Sequence, residues 1–203
     1  MDNLGQNLSK IDEHGRRADS IVNGMLLHSR GVSGERSATD LNALLEEYVN
    51  LAYHGLRAQD TSFNITIERD YDESLEQISV VPQDISRVFL NILNNACYAA
   101  HQRAQTAKEG FAPTLWVRTK GVSDQVQIGI KDNGTGIPEE ILNKIFEPFM
   151  TTKPTGLGTG LGLSISYEII VDEHQGKIDV DTQEGEYTEF TITLPKNSEP
   201  ESD

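Results

Sequence analysis

Apolar positions near the start of the chain step by alternating fours and threes: Leu4, Leu8, Ile11, Gly15, Ala18, Val22, Met25 and Ser29. That is the seam spacing of a helix packed in a coiled coil or bundle, so residues 3–30 are predicted to form one long helix. Gly15 and Ala18 at mid-seam imply close helix approach or a thin core, and Gly15 costs about 1 kcal/mol of helix propensity. Glycine and serine make 31–38 a linker. Thr39 or Asp40 then caps a second helix to about Arg57, whose apolar face is Leu41, Leu44, Leu45, Tyr48, Val49 and Ala52. Alternation predicts a strand over Phe63–Arg69 and a short one ending at Val80-Val81. Pro82 suits the first turn of a helix running to about Gln102. Residues 103–113 are loop-like. Thr114–Lys120 and Gln125–Lys131 alternate as strands, Pro138 opens a short helix and Gly160–His174 a longer one. Lys177–Thr182 and Thr188–Leu194 close the pattern as a strand pair, before a polar tail over 196–203 that is expected to be disordered.

Composition narrows the class. A chain of 203 residues with 36% hydrophobic content has room for one buried domain and a helical appendage. It contains no apolar run of the ~20 residues a membrane span needs and no signal-peptide pattern, so a cytoplasmic location without membrane contact is expected. A net charge of −15 opposes general phosphate-backbone binding, so nucleic acid is not an expected partner. Cys97 is the single cysteine and reads as a small buried hydrophobe.

Four short patterns carry candidate chemistry. Asn91 and Asn95 sit four apart on one helix face, where a carboxamide offers a neutral oxygen to a hard cation such as Mg²⁺; capping or surface positions are the competing reading. Asp132-Asn-Gly134-Thr-Gly136-Ile137 directly follows a strand. Its carboxylate can accept from an exocyclic amine and its glycines let backbone approach a flat ring, although a tight turn would use the same residues. Gly156-Leu-Gly158-Thr159-Gly160-Leu161-Gly162-Leu163 has glycine at every second position and leads into a helix, an arrangement that presents backbone N–H groups to phosphate oxygens. It is neither a P-loop nor a dinucleotide fingerprint. Between the last two patterns, Phe146 and Phe149 flank Pro148, and Lys153 has the reach to meet a terminal phosphate.

In this order and spacing, Asn91-x-x-x-Asn95, Asp132-x-Gly134-x-Gly136, Phe146-x-x-Phe149 and Gly158-x-Gly160-x-Gly162 resemble the four nucleotide-binding boxes of sensor histidine kinases. These belong to the superfamily shared with gyrase, Hsp90 and MutL. The resemblance covers about Thr39 to Pro195 and implies an α+β fold, a two-layer α/β sandwich with ATP between helices and a lid, preceded by the long N-terminal helix. It implies an ATP-binding domain over 39–195 with ATP and Mg²⁺ as cofactors. Asn95 resembles the metal ligand and Asp132 the adenine-reading carboxylate. Gly134 and Gly136 would line the base, and Gly158, Gly160 and Gly162 would hold phosphates. Ile137, Phe149, Thr159, Leu161 and Leu163 complete the expected binding set, and Thr188 is placed beside the adenine-bound carboxylate. Asn91 stands where hydrolysing relatives carry a glutamate base; an amide takes no proton, so the implied chemistry is phosphoryl donation, with Asn91, Asn95 and Lys153 as the catalytic set. Position 99 is alanine where many such kinases have a stacking tyrosine, and Tyr98 precedes it.

Residues 1–30 resemble the second helix of a dimerisation and phosphoacceptor hairpin whose first helix is not in the sequence. Neither His14 nor His28 is followed by the acid expected beside an acceptor histidine. The implied function is a protein histidine kinase, incomplete for autophosphorylation as given. Its expected partners are the histidine-bearing helix of the full-length kinase, a response regulator receiver domain and a second copy through residues 3–30. Two alternatives stay open here: a serine kinase of the anti-sigma type, and a nucleotide-binding regulatory module without transfer activity.

Overall fold

The computed structural model describes residues 34–154 and 158–196, so the helix expected over 3–30, His14, His28 and all of the expected tail but Lys196 lie outside the described residues. The segment expected to be linker up to residue 38 is already structured at Ser37, because β1 (Ser37–Thr39) pairs antiparallel with β3 (Ile78–Val80). Asp40 caps α1 (Leu41–Gln59), its Oδ1 accepting from the Ala43 N–H over 3.0 Å. Leu41, Leu45, Val49 and Ala52 form the buried stripe of α1.

The strand expected over Phe63–Arg69 is displaced to β2 (Thr66–Asp70). Phe63 and Ile65 are buried, but backbone pairing begins only where Thr66 meets Thr114, at the start of β4 (Thr114–Val122). Pro82 opens α2 (Pro82–Thr106), which runs four residues past the expected end. Arg103 in its last turn explains the extension, donating to the carbonyls of Asn133 and Glu186 over 2.9 and 2.7 Å. Ile85, Phe89, Ile92, Leu93, Ala96 and Ala100 make α2 the central core helix.

β4 and β5 (Gln125–Asp132) form a hairpin, as do β6 (Lys177–Gln183) and β7 (Tyr187–Pro195). The five-stranded sheet has the order β2-β4-β5-β7-β6, with β2 parallel to β4 and every other pair antiparallel. Leu115, Val117, Val126, Ile128, Ile130, Phe190, Ile192 and Leu194 fill the buried sheet face in the core shared with α1 and α2, giving the two-layer α/β sandwich. The opposite face is polar. There Arg118 lies flat across β5 to reach Glu189 on β7 at 2.5 Å, a path open because a side chain on Gly129 would sit 2.6 Å from Arg118 Nε.

The single helix expected over Gly160–His174 is two pieces. After α3 (Glu139–Leu142), α4 (Gly162–Tyr167) passes into a π-helical turn over Glu168–Glu173. His174 is the cause. It is fully buried, its Nδ1 donates to the Ile169 carbonyl over 2.8 Å, and its Nε2 accepts from the Val81 N–H over 3.1 Å. The His174 backbone N–H also bonds Ile169, five residues back, which widens the turn.

Candidate functional site

The connection between β5 and β6 folds back over α2 and encloses a cavity of about 740 Å³. Asp132 stands at the end of an alternating strand, 2% exposed, with its Oδ1 accepting from the Gly134 N–H over 2.7 Å. Burial pushes this carboxyl up to about 7, and the Gly134 N–H pulls the other way. Across the sheet Asp132 pairs with Thr188, also buried. Thr182 joins them: its hydroxyl donates to the Tyr187 carbonyl over 2.8 Å and accepts from the Ile137 N–H over 3.0 Å. With that proton committed, the 3.2 Å contact between Thr182 Oγ1 and Thr188 Oγ1 has Thr188 as donor. Thr182 was not among the expected site residues; its signal is cross-strand pairing with Thr188, which local pattern does not encode.

Glycines shape this end. Gly136, at φ 66°, would bring a Cβ within 2.2 Å of the Gln183 carbonyl oxygen. Gly134 lies against the α2 backbone, where a Cβ would come within 2.4 Å of the Ala99 carbonyl carbon. Gly136, Ile137 and Thr188 line the cavity, whereas Gly134 supports the wall from behind.

At the other end Asn91 and Asn95 both face the cavity from α2. Asn91 Nδ2 donates to the Gly162 carbonyl over 3.0 Å and reaches Ser166 Oγ at 3.4 Å, tying α2 to α4. Ser166 is buried and bonds the same carbonyl at 2.8 Å; it too was outside the expected set. Asn95 Oδ1 accepts from Lys153 Nζ over 2.7 Å, and that ammonium lies 4.6 Å from the centroid of the Tyr98 ring. Burial holds the Lys153 ammonium below the usual lysine range.

Gly158, Thr159, Gly160, Gly162 and Leu163 line the cavity above these residues, and Lys153 joins them. Gly160, at φ 70°, would bring a Cβ within 2.4 Å of the Phe149 carbonyl carbon, so the two backbones touch. Leu161 sits outside the lining as the residue before α4, and its carbonyl accepts from Ile165 N–H and Ser164 Oγ. Phe149 is also outside it, 56% exposed with a left-handed backbone at φ 66°. Phe146 instead packs against Tyr167, ring centroids 5.3 Å apart.

Asp132 is the single carboxylate among the described residues lining the cavity, and no group of three or more His, Cys, Asp or Glu among the described residues could hold a metal by itself. Asn95 Oδ1 already draws a cation to itself, so it fits a hard metal whose remaining ligands come from water and a phosphate.

A family model described as histidine kinase-, DNA gyrase B-, and HSP90-like ATPase matches residues 80–198. The chain belongs to this ATPase family. Within it, the chain is 36% identical over 188 residues to the sensory histidine kinase/phosphatase NtrB of Vibrio alginolyticus, covering 91% of this chain and 51% of that protein. The chain spans 20–51% of the length of the curated relatives it matches. Among solved structures, the catalytic domain of histidine kinase ThkA superposes with a TM-score of 0.65 at 31% identity, covering 80% of this chain and 96% of that one. ThkA in complex with the response regulator protein TrrA gives a TM-score of 0.70 at 28% identity, over 96% of this chain and 52% of that one. The described residues are thus the catalytic ATPase domain of histidine-kinase type. None of its described helices is long and apolar enough to cross a membrane.

Proposed function

We propose that this chain is the nucleotide-binding part of a cytoplasmic sensor histidine kinase that donates the γ-phosphoryl group of Mg·ATP to a histidine on a separate helix of the kinase. The observation that carries this reading is one cavity with a buried carboxylate at one end and the Asn95–Lys153 pair at the other. Asp132, seconded by Thr188, reads the exocyclic amine of adenine. Asn91 and the first turn of α4 set the glycine loop whose N–H groups meet phosphate oxygens. Asn95 would hold Mg²⁺, which supplies charge neutralisation at the phosphates when bound.

Asp132 is committed to the base, and Asn91 takes no proton at neutral pH, so the described lining offers no carboxylate to activate water. That chemistry favours holding ATP for an incoming imidazole, which attacks the γ-phosphorus in line while ADP leaves. Residues 3–30 are proposed as the dimerisation helix, 39–195 as the catalytic domain, and a response regulator receiver domain as the final phosphoryl acceptor.

Incubation with γ-labelled ATP, with and without a separately supplied histidine-bearing helical hairpin, tests the reading. Acid-labile label on the hairpin is expected. Acid-stable label on serine, or no transfer to the hairpin, would sink it.

A further inference from the structure

Lys153 is a half-buried cation that meets no counter-charge among the described residues. Among the described residues its ammonium is held by a neutral amide oxygen, Asn95 Oδ1 at 2.7 Å, and by the Tyr98 ring at 4.6 Å. No carboxylate among them lies within ion-pair distance of it. The stem is seated as carefully as the head. The Lys153 N–H donates to Thr151 Oγ1 over 3.1 Å, and a side chain on Gly158 would lie 3.2 and 3.3 Å from Lys153 Cβ and Cδ. The lysine therefore lies against a glycine of the loop that faces the cavity.

The oxygen that anchors this ammonium is the one assigned to Mg²⁺ under the reading above, on which this inference rests. One amide oxygen in a half-buried site does not serve a metal dication and an ammonium together, because the two cations repel across a short distance where water screens them only in part. Any Mg·nucleotide that binds must first displace Lys153 from Asn95.

We infer that Lys153 sets the preference of the pocket for ATP over ADP by competing with the metal for Asn95. Displacement costs the same contacts whichever nucleotide enters. A triphosphate repays the cost, because its terminal phosphate gives the released ammonium an anionic partner, a stronger acceptor than a neutral amide. A diphosphate lacks that group, so the lysine returns to Asn95 and Tyr98 and expels the metal with the product. The same residue thus favours loading before transfer and clearing after it.

Calorimetry of Mg·ADP and of Mg with a non-hydrolysable ATP analogue, on the full chain and its Lys153→Met variant, separates this role from that of a plain phosphate contact. Removing the competitor should tighten Mg·ADP about tenfold, the equivalent of one charge-assisted hydrogen bond, while the ATP analogue gains nothing or weakens. Tyr98→Leu loosens the latch and spares the ammonium, so it should tighten both nucleotides by a smaller factor. In the nucleotide-free chain, Lys153→Met should speed amide hydrogen exchange over 146–153. Unchanged or weaker ADP binding in both variants would overturn the inference and leave the ATP site intact. A wild-type chain that binds neither nucleotide would instead remove the functional reading and the inference with it.

Discussion

Asp132 is folded into a position that works against the fold. Burial pushes its carboxyl up to about 7 from the ordinary 3.8, so between those values the native state holds a proton that the unfolded chain has released. Stability on this account is highest at low pH and declines as pH rises through that window. Asp132→Asn keeps an oxygen for the Gly134 N–H and discards the charge; we expect it to stabilise the nucleotide-free chain by about 2 kcal/mol at pH 8, measured by urea unfolding, and to do little at pH 4. Asp132→Ala should erase the preference for ATP over GTP. Asn95→Ala should abolish the magnesium dependence of nucleotide affinity in calorimetry run with and without chelator, and unchanged dependence would remove Asn95 from the metal role. His174 acts with the opposite sign. Burial holds its imidazole below 6.5, so the stability it provides is complete above that pH and is lost as pH falls through it. His174→Ala leaves the Val81 N–H without its buried acceptor and should cost about 3 kcal/mol at pH 8. Asp132 was legible in the sequence because a strand ends on it and glycines follow. Ser166 and Thr182 were not, since each gains its role from a partner on another element, Gly162 seen with Asn91 in one case and Thr188 in the other.

Among the described elements, periodicity located the helices well and their detail badly. Pro82 marked the start of α2, but its last turn depends on carbonyls of Asn133 and Glu186 that arrive from distant loops. The π-helical turn left no mark on the hydrophobic pattern, because Ile169 and Ile170 read equally well as part of an α-helix. The glycine loop stood out by its spacing and does line the cavity, yet its contact with Phe149 was not legible. Two left-handed residues, one of them a phenylalanine, meet there backbone to backbone. Gly160→Ala forces a methyl group into that contact at an unfavourable φ, a strain of about 1–3 kcal/mol. The glycine loop can relieve it by shifting, so we expect about a tenfold loss of nucleotide affinity with the melting temperature of the free chain nearly unchanged.

For the molecule as a whole, the order β2-β4-β5-β7-β6 could not be read from the chain, because the parallel partner of β2 lies beyond a 25-residue helix. What the order implies is modularity. The hairpins β4–β5 and β6–β7 are each local, and they join through the long ladder from Gln125↔Pro195 to Asp132↔Thr188. Most of the candidate site hangs in the connection between them. A chain opened between Pro154 and Gly158 therefore falls into two pieces that each keep a complete hairpin, with the β5–β7 ladder and the Asn91 bond to Gly162 to rejoin them. Co-expressed as separate polypeptides, the pieces should purify together and melt in one transition. Failure to co-purify would show that the covalent connection, rather than the ladder, unites the halves. In such a split protein the nucleotide becomes the glue, touching both polypeptides at once, and the assembly would report its concentration.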